Sequence, residues 1–192
     1  MASECKSNSD PTKAMEFTVH RFEPFRCLLL VSSLALFFAP AAIAETTVTS
    51  DQLARDTQDV PHVMDAFHDA VLSHDAPKIE ALFVTEGSAW NTVLTEQAYA
   101  EMKKKSPAVQ KVRAGSYRDF MKFVSNTKQT LEPKRSHVTI HQDGSLASVY
   151  FDYVFLVNGK IENSGHEAWQ LVKGANGWRI AAIAYSSNPP IE

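Results

Sequence analysis

The stretch SHVTIHQDGSLASVYFDYVFLVNGKIENSGHEAWQLVKGANGWRIAAIAYSS, residues 136–187, decides how this chain folds. Four runs rich in β-branched and aromatic residues lie within it: His137–Gln142, Ser145–Val157, Lys160–Lys173 and Trp178–Ser187. Asp143-Gly144, Asn158-Gly159 and the loop Gly174-Ala175-Asn176-Gly177 separate them. Asp-Gly and Asn-Gly favour the φ > 0 turns whose twist matches that of paired strands, so consecutive runs fold back as antiparallel hairpins. The result is a four-stranded meander. Two of its strands exceed the usual length of about 5–6 residues, so the sheet twists and curls.

The rest of the chain bounds what such a sheet belongs to. Its 192 residues leave room for one domain with tails. A hydrophobic content of 44% and a charged content of 21% are ordinary for a globular protein. A net charge of −3, with no basic stripe among aromatics, argues against a nucleic-acid partner. Lys103-Lys104-Lys105 is the one basic run and reads as a solvated helix face or loop.

Arg21 and Arg26 precede the almost wholly apolar run Leu28–Phe38, and Pro40 leads into Ala42-Ile43-Ala44 ahead of Glu45. A positive region, a short apolar region and an A-x-A site make residues 1–44 a secretory signal peptide, with Met15 as an alternative start. The competing reading is an uncleaved anchor, although the run is short for a membrane span. Cleavage after Ala44 leaves no stable membrane anchor and a periplasmic or secreted protein. Cys5 and Cys27, the only cysteines, both precede the cut, so the mature chain has neither disulfide nor thiol chemistry.

Residues 45–59 read as a polar linker, 60–188 as the folded domain and 189–192 as a tail. Val60, Val63, Met64, Phe67, Val71 and Leu72 recur at helical spacing, giving a helix from about Pro61 to His74. Asp75 is placed to cap a short second helix that buries Ile79, Leu82 and Phe83. After Gly87, Ser88–Leu94 reads as a short strand and Glu96–Lys105 as a helix; Tyr117, Phe120, Met121 and Val124 mark another. Helices, one strand, more helix and then a curled meander make an α+β arrangement, with helices on one side of a sheet.

These elements resemble the SnoaL-like, nuclear transport factor 2-like superfamily. Ala81-Leu82-Phe83 leading through Gly87 into Ser88-Ala89-Trp90 carries the resemblance first. It continues through Val149–Tyr153, Asn163–Trp169, Gly177–Ile180 and Tyr185–Ser187, and spans roughly residues 60–188. It implies a cystatin-like α+β roll, a cone of curved antiparallel sheet wrapped around the N-terminal helices. Function does not follow, because the superfamily hosts enzymes, ligand carriers and non-catalytic dimerising modules.

The site therefore depends on which side chains share a face. A two-residue turn at Asn158-Gly159 pairs Val157 with Lys160, Phe155 with Glu162 and Phe151 with His166. One face then holds Val149, Phe151, Tyr153 and Phe155 with His166 and Tyr185. The other holds Tyr150, Asp152, Asn163, Glu167 and Trp169. Both are too apolar to face water alone, so helices cover one and a second copy covers the other, making a homodimer through the convex face. The second face mixes apolar walls with placed polar groups, as a ligand site does. It is read as the cone interior, with Trp90 closing one side and Asp152 and Glu167 as candidate acid–base carboxylates. The competing reading gives each carboxylate a purely structural hydrogen-bonding role. His166 with Tyr185 is the competing pair.

No metal-binding spacing, nucleophile elbow, P-loop or dinucleotide fingerprint occurs, so no cofactor and no metal are expected. Two functions stay open. One is non-catalytic binding of a small apolar or amphipathic molecule. The other is a cofactor-free isomerase, dehydratase or hydrolase using carboxylate acid–base chemistry on a small hydrophobic substrate.

Overall fold

A computed structural model describes residues 48–190, so the signal-peptide segment 1–44 lies outside the described residues. Helix α1 (Ser50–Asp56) occupies part of the stretch expected to be a linker. Its sequence has little apolar content, and hydrogen bonds hold it instead. Thr49 caps it by accepting from the Gln52 N–H. The fully buried Thr57 then donates to Leu53 O at 2.7 Å and to Asn176 O at 3.2 Å, while the Trp178 N–H donates to Thr57 O.

The next two helices follow the periodicity. Helix α2 (Val60–Leu72) starts at the cap Asp59 with Pro61 in its first turn, and buries Val60, Val63, Met64, Phe67 and Val71. Leu72 is exposed, one position beyond the apolar stripe. Asp75 caps α3 (Ala76–Ala81), which delivers Ile79, Leu82 and Phe83 to the core. After β1 (Ala89–Leu94), α4 (Glu96–Lys105) and β2 (Val112–Gly115), Ser116 caps α5 (Tyr117–Asn126). Among the described residues no helix is long and apolar enough to cross a membrane.

Strands β3 (Leu131–Gln142), β4 (Leu146–Val157), β5 (Lys160–Gly174) and β6 (Gly177–Ser187) form the meander. All six strands make one curved sheet in the order β2-β1-β6-β5-β4-β3. It is mixed rather than wholly antiparallel, because β1 runs parallel to β6. Strand β3 begins six residues before the expected run, at Leu131. It is an edge strand, where a proline such as Pro133 is tolerated. Asn158 and Gly159 have φ of 52° and 75°, the left-handed pair that a tight hairpin turn requires.

Three irregularities shape the sheet. In β5, Leu156 pairs with Ile161 but Phe155 pairs with Asn163, which leaves Glu162 as an extra residue. In β6, Leu171 pairs with Ile180 but Gln170 pairs with Ala182, which leaves Ala181 extra. In β3, the register slips between Ser136 and Thr139, around His137 with a φ of 52°. The first bulge matters most. It turns Glu167, Trp169 and Leu171 to the side of β4 that carries Val149, Phe151 and Tyr153, and the helices cover that side.

Beyond the bulge, Gly165 passes so close to β6 that an added Cβ would lie 2.3 Å from Ser186 O. That oxygen is backbone and cannot swing away. Gly165→Ala is therefore expected to destabilise the fold by roughly 1–3 kcal/mol or more, through overpacking against a fixed strand. Gly159→Ala meets open space and is charged only its left-handed backbone, about 1–2 kcal/mol. Urea unfolding of both variants checks the order: Gly165→Ala should be the less stable.

Candidate functional site

The helices do not fill the concave side of the sheet. A cavity of ≈ 250 Å³ is left there, bounded by α2, α5 and the inner face of the strands. Met64, Phe67, His68 and Val71 enter from α2, and Phe120 and Phe123 from α5. Pro133, Lys134 and Arg135 belong to β3, and Phe151, Tyr153 and Phe155 to β4. Strand β5 adds Glu162, Asn163, Glu167 and Trp169, β1 adds Trp90, and β6 adds Tyr185.

The aromatic rings support one another. Phe67 sits edge-on to Trp169, with centroids 5.1 Å apart, and stacks on Phe120 at 5.9 Å. Trp90 stacks on Phe120 at 5.2 Å and meets Tyr185 edge-on at 6.1 Å. Each geometry is one that aromatic quadrupoles favour, so the walls are stiff.

Glu167 is the chemical centre. Protein atoms surround its carboxyl, yet part of the side chain's surface stays open to the cavity. Burial pushes the carboxyl up to about 7, and the hydrogen bond from Trp169 only partly offsets this. The Trp169 Nε1–H donates to Oε2 at 2.6 Å, which leaves Oε1 without a hydrogen-bond partner among the described residues. Tyr153 is its neighbour on the same face. Burial, then the charges of Glu167 and Tyr185, push the Tyr153 hydroxyl well above the ordinary phenol range. That hydroxyl donates to Ser186 O at 2.9 Å, so it stays a phenol and does not serve as a base.

Three more polar lining residues are engaged with their neighbours. Asn163 Oδ1 accepts from the Asn188 and Ser164 N–H groups, and its Nδ2 donates to Ser187 Oγ. Arg135 donates to Met64 O and pairs with Asp65, and Lys134 pairs with Glu132. These contacts tie strands and helix together around the cavity. Among the described residues no group of three or more His, Cys, Asp or Glu is arranged to hold a metal.

Two of the six expected site residues lie elsewhere. Trp90, Asn163, Glu167 and Trp169 line the cavity, but Tyr150 and Asp152 point to the opposite, outer face. The extra residue at Glu162 is the reason: Phe151 pairs with Glu167, and Asp152 pairs with His166. Asp152 and Glu167 thus face opposite ways and cannot share a proton. Of the competing pair, Tyr185 lines the cavity and His166 does not. His166 Nδ1 and His137 Nδ1 each lie 2.7 Å from an Asp152 oxygen, and the His166 ring stacks on Tyr150. Hydrogen bonding from His137, and then His166, holds the Asp152 carboxyl below its usual range. Phe151, Tyr153 and Phe155, expected to meet a second subunit, are cavity walls instead.

Sequence reading missed the helical lining. Phe67 and Phe120 do show in the apolar stripes, but a stripe marks burial and does not tell a packed side chain from one at a void. His68 and Phe123 carried no signal.

No family model matches the sequence, and no curated protein matches it either. Solved structures do. A conserved protein from Planctomyces limnophilus superposes with a TM-score of 0.51 at 15% identity, over 73% of this chain and 98% of that one. An NTF2-like protein of unknown function from Pseudomonas putida KT2440 gives 0.50 at 12% identity, over 69% and 86%. At such identities the likeness concerns architecture alone. Helices over the concave side of one curved, mixed sheet agree with it: the chain has the nuclear transport factor 2-like α+β fold.

Proposed function

We propose that the cavity binds a small, mostly apolar molecule that aims one hydrogen-bonding group at Glu167. One observation carries this reading: a buried carboxyl, with one oxygen unengaged among the described residues, closes an aromatic-walled cavity of ≈ 250 Å³. The volume sits just below the range of about 300–1,000 Å³ usual for ligand pockets, which suits a molecule of one or two rings. A neutral probe, naphthalen-2-ylmethanol, should bind one-to-one to the full chain. Trp90→Ala and Phe155→Ala, which truncate partly exposed walls, should each weaken it by roughly tenfold, about 1.4 kcal/mol. No saturable binding, or binding untouched by either change, would sink the proposal.

One observation favours catalysis as a second reading. A carboxyl near 7 meets the requirement that a general base titrate near its working pH. With Asp152 on the other face, Glu167 would act alone, moving one proton to or from a small carbonyl or hydroxyl substrate. A substrate turned over by the wild type should lose about 10²–10⁴-fold in rate with Glu167→Gln. Unchanged turnover would exclude Glu167 as that base.

The raised carboxyl also has a consequence for stability. Its folded value of about 7 lies above the ordinary 4.5, so between these the folded chain holds a proton that the unfolded chain has lost. The folded state binds more protons, and stability falls as pH rises through that window. Glu167→Gln removes the effect. The stability of the wild type relative to Glu167→Gln should therefore decline from pH 4.5 to pH 7 by up to about 3 kcal/mol. Urea unfolding of both proteins across the window measures it, and a flat difference would refute the buried, proton-holding carboxyl.

A further inference from the structure

Two features of the cavity remain unexplained by a neutral ligand. The first is the absence of any cation to match Glu167. Among the described residues no lysine, arginine or histidine forms an ion pair with it. The lysine and arginine side chains in the lining are committed elsewhere, Arg135 to Asp65 and Met64 O, Lys134 to Glu132. The second is the density of rings around it: Phe67, Trp90, Phe120, Phe155, Trp169 and Tyr185 all face the same void. Ring faces carry negative quadrupole potential and attract a desolvated cation. An ionised carboxylate in such surroundings is costly without a counter-charge.

Resting on the ligand-binding reading above, we propose that the ligand class is an aryl or alicyclic amine, whose protonated nitrogen donates to Glu167 while its apolar body lies among the rings. An ammonium answers both features at once. It supplies the missing counter-charge through a charge-assisted hydrogen bond to Oε1, and it gains from the surrounding ring faces. An alcohol of the same shape supplies only the hydrogen bond.

The pairing has a proton signature. Below about 7 Glu167 keeps its own proton, which must leave before an ammonium can pair with it. Amine binding therefore releases a proton in acid, and affinity rises with pH, by at most tenfold per unit, until Glu167 is ionised without help. The groups facing Glu167 are the hydroxyls of Tyr153 on β4 and Tyr185 on β6, with Trp169 on its own strand. His68 of α2, Lys134 and Arg135 of β3 and Glu162 of β5 complete the titratable lining. Of these, histidine is the type that changes charge between pH 5 and 8, so His68 needs its own control.

The test is calorimetric titration of the full chain with naphthalen-2-ylmethylamine and with naphthalen-2-ylmethanol, from pH 5.5 to 8, in two buffers of different ionisation enthalpy. The amine should bind at least tenfold tighter than the alcohol at pH 8, gain affinity over the range, and release close to one proton at pH 5.5. Glu167→Gln should lose the amine's advantage, and its folding is checked by unfolding in parallel. Saturable alcohol binding with no advantage for the amine at pH 8 would overturn the amine class and leave the pocket standing. Binding of neither probe would overturn both. A pH slope lost in His68→Gln and kept in Glu167→Gln would also overturn it, by moving the charge to the histidine.

Discussion

One extra residue in β5 sets the character of this protein. Between Ile161 and Asn163 the strand carries Glu162 with no partner on β4, and every side chain beyond it changes face. Two local devices hold the slip. Asn163 closes it with hydrogen bonds to Ser164, Ser187 and Asn188. Gly165 then lets β5 lie against Ser186 more closely than any side chain allows. The return is burial: Trp169 keeps 3% of its surface exposed and Leu171 keeps 1%. Full burial of one large apolar side chain is worth about 1.5–3 kcal/mol, enough to outweigh one unpaired strand residue.

Much of this was legible, and the failure is instructive. The helix cap at Asp75, the apolar stripe of α2, the Asn158-Gly159 turn and the sharing of one face by Val149, Phe151 and Tyr153 follow from local chemistry, and the structure contains them all. Propagating a regular register from the turn gave Phe151 the wrong partner. The sequence nonetheless held a warning. With strict pairing, the bulky apolar residues of β4 share a face with His166, Ala168 and Gln170, while Trp169 and Leu171 sit opposite. A sheet with one covered side does not divide its large residues that way, and a single bulge reconciles the two strands. The second bulge, at Ala181, lets β6 bury Trp178 and Ile180 as well as Ile183.

The split also separates two carboxyls that a flat reading placed together. Asp152 lies on the outer face between two imidazoles and is held low; Glu167 lies among rings and is held high. Nothing in the local sequence of either residue distinguishes them, since each follows an aromatic residue or a histidine in a strand of similar composition. Parity alone assigns one to water and the other to the cavity.

That parity has a genetic side. At the bulge the number of residues between Ile161 and Asn163 matters more than the identity of the unpaired one, Glu162. A substitution at the exposed Glu162 leaves the count unchanged and the faces in place. Loss of a single codon there would turn Trp169 and Leu171 outward and His166 and Gln170 inward, trading a packed layer for a polar one. Homologous chains sharing this cavity should therefore vary freely in residue type at the bulge while tolerating neither insertion nor deletion across it.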